Sequence, residues 1–83
     1  LYVLSTTNNG RTATLYVHGD NLNVTQQVDL FTHTAAIPAT TYLSLSNNGD
    51  IAVATPAENK PGMDLHVFTG GSFTETAIVY HSL

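Results

Sequence analysis

Asn48-Gly49 stands between two short runs that alternate apolar and small residues, Leu43-Ser44-Leu45-Ser46 and Ile51-Ala52-Val53. An Asn-Gly pair flanked in this way is the strongest short-range signal for a β-hairpin. Both central residues of a type I′ turn need φ > 0, which Asn and Gly tolerate. On this reading Asp50, next to the pair, is a surface turn former. The punctuation recurs: Gly70-Gly71 separates Val67-Phe68 from Phe73, and Gly19-Asp20-Asn21 separates Tyr16-Val17 from Leu22. Longer connections alternate with these tight ones, at Thr6–Arg11, His33–Thr40 and Pro56–Gly62, with Pro38, Pro56 and Pro61 in or beside them.

Between the turn signals lie seven segments rich in β-branched and aromatic residues, which predict strands. They are Leu1–Ser5, Thr12–His18, Leu22–Thr32, Thr41–Ser46, Ile51–Thr55, Met63–Thr69 and Phe73–Ser82. No apolar stripe recurs at the 3.6-residue helical period, and Thr and Val stand where helix formers would be needed. The expectation is an all-β chain of antiparallel meander sheets.

Composition narrows what such a chain can do. At 83 residues it makes one small domain, near the lower end of what buries a self-sufficient core. Cysteine is absent, so neither a disulfide framework nor a thiolate site is available. Charged residues make up 10% of the chain, against roughly 25% in soluble domains at large. Hydroxyls and amides therefore carry the surface, with thirteen threonines and seven asparagines against one Arg and one Lys. A net charge of −4 without a basic run argues against nucleic acid as a partner. No apolar stretch approaches the roughly 20 residues of a membrane-spanning helix. Leu1-Tyr2-Val3-Leu4 has no basic n-region and reads as the inside of a strand, not as a leader. Low charge and scarce Lys lean towards an extracellular or virion-surface location.

Sliding the chain by fifty positions lays Leu1-Tyr2-Val3 over Ile51-Ala52-Val53 and Leu15-Tyr16-Val17 over Leu65-His66-Val67. It also sets Val28 and Leu30 over Ile78 and Tyr80, and Asn9 over Asn59. Such a period belongs to repeat architectures. With the order strand, tight turn, strand, longer loop, strand, tight turn, strand, residues 41–82 resemble one full four-stranded β-propeller blade of the WD40, kelch or NHL type. Residues 1–32 resemble three strands of a preceding blade, so the single all-β module of 1–83 amounts to about one and three-quarter blades. Neither a Trp-Asp dipeptide nor the paired glycines of kelch strands are present, so no subfamily follows. The resemblance implies sheets apolar on both faces, with Met63, Leu65 and Val67 on one side and His66 and Phe68 on the other. It also implies that further blades, or other copies, complete the assembly, since such rings hold about 4–8 blades. The alternative is a seven-stranded β-sandwich closing on itself.

The chemistry-bearing residues are dispersed. His18, His33, His66 and His81 include His18-x-Asp20 and Asp64-x-His66, but a zinc site wants three or four ligands and no such cluster or motif is present. His18 and His66 fall on positions that read as packing between sheets. The serines show no G-x-S-x-G elbow. Asp20, Asp29, Asp50, Glu58, Asp64 and Glu75 are scattered singly, without the pairing that glycoside hydrolysis uses. Asn23-Val24-Thr25 matches a glycosylation sequon at no more than the frequency chance supplies in a chain this rich in Asn, Ser and Thr. The expectation is therefore a non-enzyme without cofactor or metal.

In an up-and-down meander, alternate connections fall at the same end of a sheet. The longer loops would then share one edge and the tight turns the other. The loop edge carries both basic residues, Arg11 and Lys60, together with Asn8, Asn9, His33, Thr34, Glu58 and Asn59. Loops on a rigid scaffold are where binding groups concentrate. These eight residues are the candidate ligand-binding face of a binding or structural module for a protein or glycan. The competing expectations are a propeller portion of a larger hydrolase or sialidase-like enzyme, and a structural component of a phage or viral particle.

Overall fold

The computed structural model describes residues 1–83 and contains no helix. Seven strands follow in order: β1 (Tyr2–Thr7), β2 (Thr12–His18), β3 (Val24–Thr32), β4 (Tyr42–Leu45), β5 (Ile51–Pro56), β6 (Met63–Phe68) and β7 (Glu75–His81). They form two compact units, Leu1–Ile37 and Pro38–Leu83. The first is a three-stranded sheet of order β1-β2-β3 and the second a four-stranded sheet of order β4-β5-β6-β7. Every pairing is antiparallel and joins neighbours in sequence, so both sheets are meanders. The chain is all-β, as its turn punctuation requires.

The two units share one hydrogen-bonding plan. Tyr2 pairs with Val17 and Leu4 with Leu15, while fifty residues on Ala52 pairs with Val67 and Ala54 with Leu65. The register slips between Val17 and His18 in β2, and again between Val67 and Phe68 in β6. Thr25 closes that slip by donating its hydroxyl to the Val17 carbonyl at 3.2 Å, and Thr76 does the same to Val67 at 3.3 Å. Between the two lies one extra residue, in the β6–β7 turn. There the Gly19 N–H bonds Asn23 across the first unit's turn, and the Thr69 N–H bonds Thr74 across the second's. Beyond that turn the offset is therefore fifty-one. Val28 corresponds to Val79 and Asp29 to Tyr80, while Leu30 is the extra residue of a register shift and has no counterpart, which corrects the sequence alignment of Val28 and Leu30 with Ile78 and Tyr80.

The turns depart from the expected type in a specific way. Asn48 does not adopt φ > 0; Gly49 alone does, at 88°. The Gly49 N–H bonds the Ser46 carbonyl at 3.2 Å and the Ser46 N–H bonds Asp50 at 2.9 Å. This is a three-residue loop whose last residue is left-handed, and not a two-residue type I′ turn. Asn48 serves through its side chain, whose Oδ1 accepts from the Ser46 hydroxyl and from the Asp50 N–H. The β2–β3 turn has the same plan, with Leu22 N–H to Gly19 at 2.9 Å and Leu22 left-handed at φ 63°. Left-handed Leu22 and Phe73 also explain why β3 and β7 start two residues later than their apolar runs do.

Asp50 is more than a surface turn former. Its Oδ1 accepts the Gly70 N–H at 2.7 Å, so the carboxylate ties the β4–β5 hairpin to the β6–β7 turn. A Cβ at Gly70 would lie 2.9 Å from backbone atoms of Gly49, so only glycine allows the two turns to approach this closely.

Burial follows the sheets' central strands. In β2 four consecutive residues, Thr12–Leu15, are buried, so both faces of that strand are covered. In β5 the alternate residues Ile51, Val53 and Thr55 are buried, and their cross-strand neighbours His66 and Phe68 in β6 are buried with them. Met63, Leu65 and Val67 occupy the other face and are half-buried. Full burial of Leu15 or Phe68 contributes about 1.5–3 kcal/mol each. The His66 Nδ1 sits 2.8 Å from Glu75 Oε2 across the β6–β7 pair, giving a buried imidazole a carboxylate partner.

Candidate functional site

Each unit holds one longer hairpin loop; six of the eight residues of the expected ligand face lie in these two loops, and His33 and Thr34 lie in the segment after β3. In the first unit the β1–β2 ladder ends at the pair Thr7 and Thr12. Asn8, Asn9 and Gly10 then run left-handed, at φ 54°, 59° and 80°. Asn visits this region more readily than other side-chain-bearing residues, which is why an Asn-Asn-Gly run can turn the chain here. The Arg11 N–H closes the turn on the Asn8 carbonyl at 3.2 Å.

Arg11 is held by the same residue. Its Nε donates to the Asn8 carbonyl and one terminal nitrogen donates to Asn8 Oδ1, both at 3.2 Å. A guanidinium held through two donors retains three further N–H groups. Beneath the loop a rail of hydroxyls crosses the sheet. Thr12 Oγ1 lies 3.0 Å from Thr32 Oγ1, Thr7 Oγ1 lies 2.9 Å from Thr14 Oγ1, and Thr14 donates to Asp29 at 3.0 Å. The segment after β3 folds back on this end: the His33 N–H bonds Arg11 and the Ile37 N–H bonds Gly10, each at 2.7 Å.

That return segment changes the role of His33. Its ring is buried and lies 5.3 Å from the ring of Phe31, so it packs under the loop and is not presented at the surface. Thr34 next to it is exposed, as are Asn8 and Asn9, while Arg11 is half-exposed.

In the second unit the Ala57 N–H bonds the Gly62 carbonyl at 3.0 Å and closes the β5–β6 loop. Asn59 is left-handed at φ 61° and exposed, at the position equivalent to Asn9. Glu58 is half-buried beside it. The Lys60 ammonium lies 3.9 Å from the centroid of the Tyr80 ring, and the Tyr80 hydroxyl donates to the Pro61 carbonyl. A cation over an exposed aromatic ring is worth about 0.5–1 kcal/mol. Tyr80 thus belongs to the site although the loop reading omitted it. The signal was available, because the far end of β7 must meet the β5–β6 loop in a meander.

The structure therefore joins Asn8, Asn9 and Arg11 in one ordered loop and Glu58, Asn59 and Lys60 in another. The first loop carries two left-handed, exposed asparagines and the second carries one, and each loop has a cation in contact with a neighbouring group. Elsewhere, a concavity of about 590 Å³ lies along the β4–β5 hairpin, lined by Ser44, Ala52, Val67, Asn48 and Asp50 among others. It sits at the tight-turn end of the second unit, away from the β5–β6 loop. No three His, Asp or Glu side chains converge where they could hold a metal ion, and no helix is long and apolar enough to cross a membrane. No family model matches the chain, nor does any curated protein or solved structure.

Proposed function

We propose that this chain is a non-catalytic binding or structural module of β-propeller-blade type, offering its ordered β1–β2 and β5–β6 loops to a protein or glycan. The observation that supports this reading most is the equivalence of the loops. Asn9 and Asn59 hold the same left-handed backbone fifty residues apart. Beside each stands a cation fixed by its own neighbour, Arg11 on Asn8 and Lys60 on Tyr80. Amides that both donate and accept, next to a positioned cation, suit sugar hydroxyls and carboxylates. Ordering these side chains before contact lowers the entropy lost on binding.

The test is binding of the 83-residue chain to an array of neutral and acidic glycans, compared with Arg11→Ala and Lys60→Ala. Both variants should stay folded and melt cooperatively, each losing about 1 kcal/mol or less with its loop contacts. Each should weaken any glycan signal by about fivefold or more, and Asp20→Ala and Ser72→Ala at the tight-turn ends should leave it unchanged. Signal that is insensitive to Arg11 and Lys60 but lost on Ser44→Trp would move the site to the β4–β5 concavity and end the loop reading.

A further inference from the structure

The chain contains two Asn-Gly pairs, Asn9-Gly10 and Asn48-Gly49, and both asparagines are exposed. Asparagine is chemically labile, because the backbone nitrogen of the following residue can attack its side-chain amide. Glycine in that following position has no Cβ and hinders the approach least. Exposure does not distinguish the two pairs. Their hydrogen bonds and turn types do.

At Asn48 both reacting groups are engaged. The attacking nitrogen, that of Gly49, donates to the Ser46 carbonyl at 3.2 Å. The side-chain oxygen accepts from the Ser46 hydroxyl and from the Asp50 N–H, which holds the side chain within its turn. Bringing the Gly49 nitrogen onto Asn48 Cγ breaks these bonds. Losing two or more of them slows the step by about tenfold or more.

At Asn9 neither group is held. The Asn9 side chain and the Gly10 N–H enter no hydrogen bond. Asn9 and Gly10 are the central residues of a turn closed by the Arg11 N–H on the Asn8 carbonyl at 3.2 Å. Their φ values of 59° and 80° make it type I′. Ring closure requires the Asn9–Gly10 peptide to rotate, which carries the turn from type I′ to type II′. Type II′ keeps φ > 0 at its first central residue, where Asn9 already has it. Only Gly10 changes sign, at no steric cost. The closing bond is common to both types. The Ile37 N–H, 2.7 Å from the Gly10 carbonyl, anchors the next peptide and not the one that turns.

We infer that Asn9 is a self-modification site, at which this chain converts an amide to a carboxylate with water as the only co-reactant. The Gly10 nitrogen loses its proton to solvent base and bonds to Asn9 Cγ. The Cγ–Nδ2 bond breaks, and the amide nitrogen takes up a proton and leaves as ammonia. Water then opens the cyclic imide at either carbonyl. Opening at Cγ gives aspartate. Opening at the backbone carbonyl gives isoaspartate, whose main chain runs through Cβ and is longer by a methylene. Either product adds a negative charge to the loop that carries Arg11. The inference is independent of the ligand reading, because the reaction needs no partner.

The experiment holds the 83-residue chain in mildly alkaline buffer, beside a sample in concentrated urea, and follows both Asn-Gly pairs by peptide mapping and mass spectrometry. In the folded chain Asn9 should convert at least about tenfold faster than Asn48, giving both aspartate and isoaspartate. In urea, where neither turn exists, the two rates should converge. Ser46→Ala removes one donor from Asn48 Oδ1 and should speed conversion there while leaving Asn9 unchanged. Equal rates in the folded chain, faster conversion at Asn48, or a difference that persists in urea would each overturn the assignment. So would an Asn9 that stays intact when folded while the urea sample converts.

Discussion

Leu22 holds φ 63° with its side chain 68% exposed, in a turn where its counterpart in the β4–β5 hairpin is Gly49. A side chain in the left-handed region costs about 1–2 kcal/mol, and an exposed leucine returns little of it through burial. Phe73 has the same backbone at φ 53° in the equivalent turn, yet is only 5% exposed. Its ring offsets the strain by leaving water. The same substitution should therefore have opposite signs at the two positions. Leu22→Gly should stabilise by about 0.5–1 kcal/mol, after the greater freedom of glycine in the unfolded chain is counted. Phe73→Gly should destabilise by about 3 kcal/mol or more, as loss of a buried aromatic does. Urea denaturation of the two variants decides it. Losses of similar size would mean that Leu22 makes contacts its exposure does not reveal.

At the scale of elements, the Asp50 carboxylate joins two hairpins through the Gly70 N–H at 2.7 Å. Hydrogen bonds to a charged group contribute about 1.5–3 kcal/mol, and removing the acceptor leaves a part-buried N–H without its partner. Asp50→Ala should cost about 1.5–2 kcal/mol by urea denaturation and speed amide exchange at Gly70, whereas Asp50→Asn should retain part of both. A loss below about 0.5 kcal/mol would return Asp50 to an ordinary turn former. The contrast shows where the sequence was readable. The strands and their order were legible because turn residues and β-branched runs are local signals, and all seven expected strands are present. Asn48-Gly49 correctly marked a turn, but its type depended on where the hydrogen bonds close, which no dipeptide states. Asp50 and Gly70 are twenty residues apart, so their contact exists only once both hairpins are formed. The site behaved likewise. Asn9 and Asn59 were found through the fifty-residue match, while burial of His33 under Phe31 and the seat of Lys60 on Tyr80 depend on the paths of distant segments.

On the scale of the molecule, the second unit presents an apolar row that runs across its whole sheet. Tyr42 pairs with Ala54, Ala54 with Leu65 and Leu65 with Val79, so the four side chains stand side by side on one face. Tyr42 and Val79 are exposed, at 64% and 43%, and all seven residues of the edge strand β7 are exposed. Natural sheets usually protect such an edge with lysines, prolines or bulges; β7 contains neither Lys nor Pro, and its register shift lies near its start, at Thr76, away from Val79. With charged residues at only 10% of the chain, little repulsion opposes contact between copies. At rising concentration the isolated 83-residue chain should therefore sediment as progressively larger species. Val79→Lys places a charge at the open end of the row, at a site exposed enough to accept it, and should keep the chain monomeric to concentrations at least about tenfold higher. Ser72→Lys adds the same charge in the β6–β7 turn, away from the row, and should change the sedimentation little. If both lysines act equally, net charge and not the apolar row governs association. If the unmodified chain stays a compact monomer that melts cooperatively at every concentration, the row is not a contact surface between copies.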